Sequence, residues 1–205
     1  MHRSLPTCCV LLFFIALGMG GCAGSAPSVP DNDPAGMPSY DTDALEQAIH
    51  DRINEVRMRN GHSSLAWSSA LASLSRTHSQ DMAERGFFSH TNPDGDRPAD
   101  RAREAGLTCS SVVEDVVDDP SSAGGVGENI FNASAYSSRR VTQRGDEETV
   151  SYDWNTEDQL VDTIVDGWMD SEGHRQNILR DSYQAQGLGV SVSDEKRVLV
   201  TQTFC

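Results

Sequence analysis

The chain has 205 residues, with 31 acidic side chains against 16 basic ones and a net charge of −15. That length allows one domain with appendages rather than a string of domains. A surface this acidic repels nucleic acid and anionic lipid headgroups and excludes them as partners. Lys196 is the one lysine. Self-repulsion at this charge density weakens a fold in dilute solution and is relieved by salt, so an acidic, halophile-like surface is expected.

Residues 1–22 have the order of an export signal: Arg3, the apolar run "CCVLLFFIAL", then small residues around Cys22. The run falls short of the about 20 apolar residues that span a bilayer. Small residues before a cysteine resemble the lipoprotein cleavage box of prokaryotes, with Met19 where that box usually has leucine. Lipid attachment at Cys22 is therefore expected, holding the protein outside the cell on the outer face of its membrane. Residues 23–42, rich in Pro, Gly and Ser, read as a flexible linker. Residues 43–205 are left for the folded domain.

Asp43 as N-cap with Glu46 three positions on predicts a first helix, whose stripe is Leu45, Ile49, Ile53 and Val56 and whose stop is Gly61. A second helix carries Leu71, Leu74, His78 and Met82 on one face and ends at Gly86. His78 on that stripe reads as a hydrogen-bonded core histidine. Pro98 opens a short third helix. One strand is expected around residues 112–117, and residues 132–155 read as an acidic, polar, irregular loop insertion. Asn132-Ala133-Ser134 within it is a glycosylation sequon, expected on an exposed exterior loop. Thr156 with Gln159 caps a further helix with Leu160, Ile164, Val165 and Trp168 as its buried stripe. "GLGVSVSDEKRVLVTQTF" reads as a β-hairpin turning at "SDEK". These elements predict a layered α/β sandwich with a mostly antiparallel sheet. Cys8 and Cys9 fall in the signal, so only Cys109 and Cys205 remain to meet in an oxidising exterior, and a disulfide between them is expected.

Three stretches hold ionisable groups among glycines and aromatics at the ends of predicted elements: "RGFFSHTNPDG" with His90, "GENI" with Glu128, and "SEGHRQNIL" with His174. The order of "HSQDMAERGFFSHTNPDG", "GENI", "W-x-x-S-x-G-H-R-x-N-I-L" and "GLGVSVS" resembles the CAP superfamily, or SCP domain, of cysteine-rich secretory, antigen 5 and pathogenesis-related proteins. It is similar to the prokaryotic branch, with Glu172 standing where a proline is usual. The resemblance implies a three-layer α-β-α sandwich with a central cleft lined by His90, His174 and Glu128. A second glutamate of the family would fall at Ser171, with Glu172 one residue further on as its possible substitute.

Two neutral imidazoles and a carboxylate form a ligand set that suits zinc or another divalent metal with an open position. Three readings follow. The first is a non-catalytic extracellular module whose cleft binds a metal ion or small ligand and whose surface meets an extracellular protein. The second is a metal-dependent hydrolase or peptidase with Glu128 as general base. The third is a structural surface protein whose acidic loops collect cations. Plainer roles stand beside these: His90 capping a turn, Asn129 bonding backbone in a buried corner, His174 and Asn177 tying down the hairpin, and Arg175 pairing with an acidic loop.

Overall fold

The computed structural model describes residues 36–117 and 125–205. The expected signal, Cys22 and the linker as far as residue 35 lie outside these. The end of the expected linker is docked. Tyr40 donates its hydroxyl to the carbonyls of Ala135 and Asn155, both at 2.9 Å, and Met37 packs on the core beside it.

Among the described residues the helices are α1 (Thr42–Arg59), α2 (Ser69–Arg85), α3 (Pro98–Glu104), α4 (Cys109–Val116), α5 (Glu157–Asp170) and α6 (Glu172–Ile178). The strands are β1 (Ala66–Trp67), β2 (Gly127–Ser134), β3 (Tyr136–Arg144), β4 (Glu147–Trp154), β5 (Ala185–Val192) and β6 (Arg197–Phe204). The central sheet has the order β1-β5-β6-β2, parallel between β1 and β5 and antiparallel elsewhere. Helices cover both faces, as the sandwich expectation holds.

Strand alternation sends side chains to the two faces. Leu188, Val190, Val198, Val200 and Phe204 pack with Leu45, Ile49 and Ile53 of α1 and Leu160, Ile164 and Trp168 of α5. On the opposite face Gly187 and Gly189 let α2 lie directly on β5. A Cβ at either position would stand 2.1 Å from a backbone nitrogen, of Ala72 or Arg76. Ser75 and Ser79 of α2 donate to the carbonyls of Gly187 and Gly189 and bond Thr203 and Thr201. α3 and α4 lie on this same side.

Several expectations change. The N-cap of α1 is Asp41, which accepts from Ala44 N at 3.0 Å, and Glu46 is a buried partner of Arg76 rather than half of a capping box. Residues 112–117 are largely helical, not a strand: Thr108 caps α4, and Cys109, Val112 and Val113 bury at helical spacing against Leu71 and Ala185. The stretch read as an irregular loop is an antiparallel β3–β4 ribbon, turned by Gly145 at φ 62° with Arg144 opposite Glu147. At its base Tyr152 stacks on Trp154, and Tyr136 meets both rings in tilted and edge-on contacts. Asn132 of the sequon sits in β2 opposite Leu199 and accepts from Arg197 Nε at 2.8 Å, so it lies in a paired strand and not in a loop. The capping box of α5, the stop at Gly86 and the closing hairpin form as expected. Cys109 and Cys205 form the expected disulfide, tying the end of the chain to α4.

Candidate functional site

β2 is an edge strand, and an unpaired edge exposes backbone groups that must find partners. Side chains from the neighbouring helices supply them. Trp168 Nε1 of α5 donates to Ile130 O at 3.1 Å, and Asn177 Nδ2 of α6 donates to Glu128 O at 3.3 Å. The site is built around this covered edge. Glu128 faces the α2 side, and Asn129 faces the α6 side.

Glu128 has a nearly buried carboxylate, and both of its oxygens are taken. Oε1 accepts from His90 Nδ1 at 2.8 Å, and Oε2 accepts from Arg101 Nη2 at 2.5 Å. His78 Nε2 stands 4.0 Å from Oε1. Arg101 comes from the buried face of α3, and its Nη1 also donates to the carbonyls of His90 and Asp96, both at 2.9 Å. One guanidinium therefore fixes the His90 loop and neutralises Glu128 together, a fork geometry that lysine lacks. His90 projects from the loop between α2 and α3 with its side chain 48% exposed. Because a carboxylate only accepts, His90 Nδ1 carries the proton, and Nε2 presents its lone pair to solvent.

His174 lies in the first turns of α6, half buried. Burial, and then the nearby His90 imidazole, push its pKa below the ordinary value. The three expected residues thus meet at one edge, with His90 and Glu128 in direct contact and His174 near enough to His90 to feel it electrostatically. No side-chain hydrogen bond joins His174 to the other two. Asn129 Nδ2 donates to His174 O at 3.3 Å and to Gln202 Oε1 at 3.1 Å, the buried-corner role expected for it. Asn177 ties α6 to β2 through Asn129 Oδ1 at 2.9 Å, not to the closing hairpin.

From Asn129 a chain of amides crosses the sheet. Gln202 Nε2 donates to Gln186 Oε1 at 2.6 Å, and Gln186 Nε2 meets His50 Nδ1 at 2.8 Å. The carbonyls of Glu128 and His174 can only accept, which sets the direction of every amide in the chain. All three of Asn129, Gln202 and Gln186 are fully buried.

The possible fourth members stay apart from this contact. Ser171 is the junction of α5 and α6 and makes no side-chain cap bond, while Glu172 is exposed and accepts from Gln176 at 3.2 Å. Arg175 does not pair with an acidic loop; its Nη1 donates to Met169 O at 2.6 Å and closes the end of α5. Sequence reasoning missed Arg101, which lies inside an ordinary arginine-rich helix. Nothing within α3 marks it, because its partner Glu128 lies 27 residues away. His78 is the expected core histidine, with Nε2 donating to Ser89 O at 3.0 Å, but it also backs Glu128.

These side chains do not fit a three-ligand zinc centre as placed. Among the described residues no group of three or more His, Cys, Asp or Glu is positioned to hold a metal ion. Glu128 is the reason, since Arg101 already stands where a cation would.

Among curated proteins, the chain is 28% identical over 161 residues to the uncharacterized membrane protein YlbC of Bacillus subtilis strain 168, covering 78% of this chain and 34% of that protein. It is 26% identical over 169 residues to the uncharacterized protein YkwD of the same organism, covering 82% and 51%. It spans about a third and about half the length of these two relatives. Among solved structures, an extracellular protein of Bacillus anthracis containing an SCP domain superposes with a TM-score of 0.53 at 26% identity, over 80% of this chain and 40% of that one. An outer surface protein of Borrelia burgdorferi superposes at 0.55 over 80% and 94%, with 14% identity, and shows the shared fold alone. Among the described residues no helix is long and apolar enough to cross a membrane. The sequence pattern of the CAP, or cysteine-rich secretory protein, family matches residues 50–204, and the chain belongs to that family.

Proposed function

We propose that this protein is an extracellular, non-catalytic binding module, held at the outer face of the cell membrane through Cys22, whose cleft at the edge of β2 binds a small ligand through His90 and His174. One observation carries the reading: both oxygens of Glu128 are occupied, by His90 and by Arg101. A general base must have a free lone pair aimed at the proton it takes. The lone pairs left on Glu128 belong to a carboxylate almost wholly shielded from solvent, which disfavours the hydrolase reading. What the cleft offers instead is His90 Nε2, an oriented acceptor, beside a second imidazole that burial keeps neutral. The ligand that suits it brings a hydrogen-bond donor to His90. The long amide chain behind Asn129 supports a fixed position for His174 rather than a moving one.

Full-length oxidised protein, freed of metal with a chelator, tests this. With glycinamide as the donor-bearing probe, the ring signals of His90 and His174 should move together and saturate, and His90→Ala should abolish the response of His174. Peptide turnover should be absent in dilute and in molar salt, with or without Zn²⁺. Turnover that Glu128→Gln removes would establish the hydrolase instead. Zinc that survives dialysis in the wild type and is lost in both His90→Ala and His174→Ala would establish the metal centre. Mass spectrometry of membrane extract should find a diacylglyceryl Cys22; an unmodified residue there removes the anchor.

A further inference from the structure

The β3–β4 ribbon is anchored only at its base. There Lys196 Nζ lies 5.5 Å from the centre of the Tyr152 ring, and Tyr40 bonds the residues that flank the ribbon, Ala135 and Asn155. Beyond the base, β3 is exposed at every residue from Ser137 to Arg144. Among the described residues its outer edge pairs with no strand. A two-stranded ribbon in water is marginally stable, and a third strand is what it lacks. The unpaired backbone groups along β3 are a template for one.

Charge indicates what that strand is made of. β3 carries Arg139, Arg140 and Arg144 and no acid. Among the described residues these three side chains have no ion pair, hydrogen bond or ring contact, whereas every other arginine, and Lys196, has at least one. Carboxylates are not scarce, since the chain has 31 acidic residues against 16 basic ones. Unpaired acids are ordinary in such a chain; three unpaired arginines on one strand are not. They are free to meet carboxylates from outside the molecule.

Strand alternation defines the partner's shape. Arg140 and Arg144 share one face of the ribbon, and Arg139 shares the other with Val141, which is 44% exposed. A linear polyanion laid on either face meets only part of this charge. An extended polypeptide beside β3 alternates in the same way, so its carboxylates reach both faces while its backbone pairs with the open edge. Charges on an edge ordinarily deter strand pairing. Here they turn away basic strands and admit an acidic one. We propose that the outer edge of β3 is a docking site for an extended, acidic polypeptide segment, added as a third strand with an apolar β-branched residue beside Val141.

The test titrates full-length oxidised protein with the capped peptide Glu-Glu-Val-Thr-Val-Glu-Glu, with its counterpart carrying lysine for each glutamate, and with inorganic polyphosphate. Binding is read by fluorescence anisotropy and by hydrogen exchange of the β3 amides. The expected result is saturable binding of the acidic peptide, none of the lysine peptide, and new protection along β3. The triple variant Arg139→Gln, Arg140→Gln, Arg144→Gln should bind about tenfold more weakly or worse. The near-UV signal of Tyr136, Tyr152 and Trp154 checks that its ribbon persists. Arg140→Gln alone, opposite Ser151, gives a smaller loss in the same direction and serves if the triple variant opens the ribbon. No binding of the acidic peptide, affinity that the variants leave unchanged, protection outside the ribbon, or polyphosphate bound as tightly as the peptide overturns the proposal. So does self-association through β3 in the absence of peptide, because the occupant is then a second copy of this chain.

Discussion

The two faces of the central sheet are packed on different principles. Toward α1 and α5 the sheet presents Leu, Val and Phe, and its polar side chains there, Asn129, Gln202 and Gln186, join in one buried amide chain that ends on His50. Toward α2 it presents Gly187, Gly189, Thr201 and Thr203 and meets serines, so helix and strand approach almost backbone to backbone. The first face stabilises by apolar area removed from water. The second fixes position, because contacts that close leave no room for sliding. Glu128, His78 and Arg101 all belong to the second face, where two buried side-chain atoms among the described residues, His78 Nδ1 and Arg101 Nε, have no hydrogen-bond partner. The protein places its unsatisfied chemistry on its least deformable side.

Removing Arg101 should break the α2 side most severely. Arg101→Met leaves the Glu128 carboxylate buried without its cation, at a cost of about 3–5 kcal/mol. Denaturant unfolding should show this loss, and the double variant Arg101→Met with Glu128→Gln should recover a large part of it. If the losses simply add, the pair is not coupled as described.

Gly189→Ala puts a methyl group 2.1 Å from Arg76 N and should cost about 3 kcal/mol or prevent folding. A loss under about 1 kcal/mol would mean that α2 is free to retreat and that this face is not the rigid one. On the opposite face Gln202→Leu interrupts the amide chain and strands Gln186 Oε1, for a loss of about 1–3 kcal/mol. The His174 ring signals should also broaden, because Asn129 loses one of its two acceptors.

The pH response is smaller and involves both faces. Burial lowers the pKa of His78, despite the opposing pull of Glu128, and burial lowers that of His50, despite Asp51. The unfolded chain takes up these protons near the ordinary value of 6.5 while the folded chain does not. Stability is therefore fully present above that pH and falls as the pH drops below it, by at most about 1.4 kcal/mol per pH unit for each histidine. Unfolding measured between pH 7.5 and 5 should show the decline, and His78→Gln should make it shallower. A flat profile would contradict buried neutral histidines.

How much of this was legible depended on whether a residue's signal was local. Capping boxes and stripes gave α2, α5 and the closing hairpin, since these follow from spacing within one element. The pairing of Cys109 with Cys205 was legible by exclusion. The β3–β4 ribbon was not, because its polar residues face water on both sides and imitate a loop. α4 was misread because "VVEDVV" suits a strand until Thr108 and the disulfide are placed. His90, Glu128 and His174 were found through a resemblance, whereas Arg101 was invisible: its meaning lies in a carboxylate 27 residues away.

The ring protonation of His90 tests the central claim most directly. Two-bond ¹⁵N–¹H correlation spectra above pH 7.5 should show the proton on Nδ1, held by Glu128, and Glu128→Gln should move it toward Nε2. A wild-type His90 carrying its proton on Nε2 would mean that Glu128 does not orient this imidazole, and the binding cleft described here would lose its foundation.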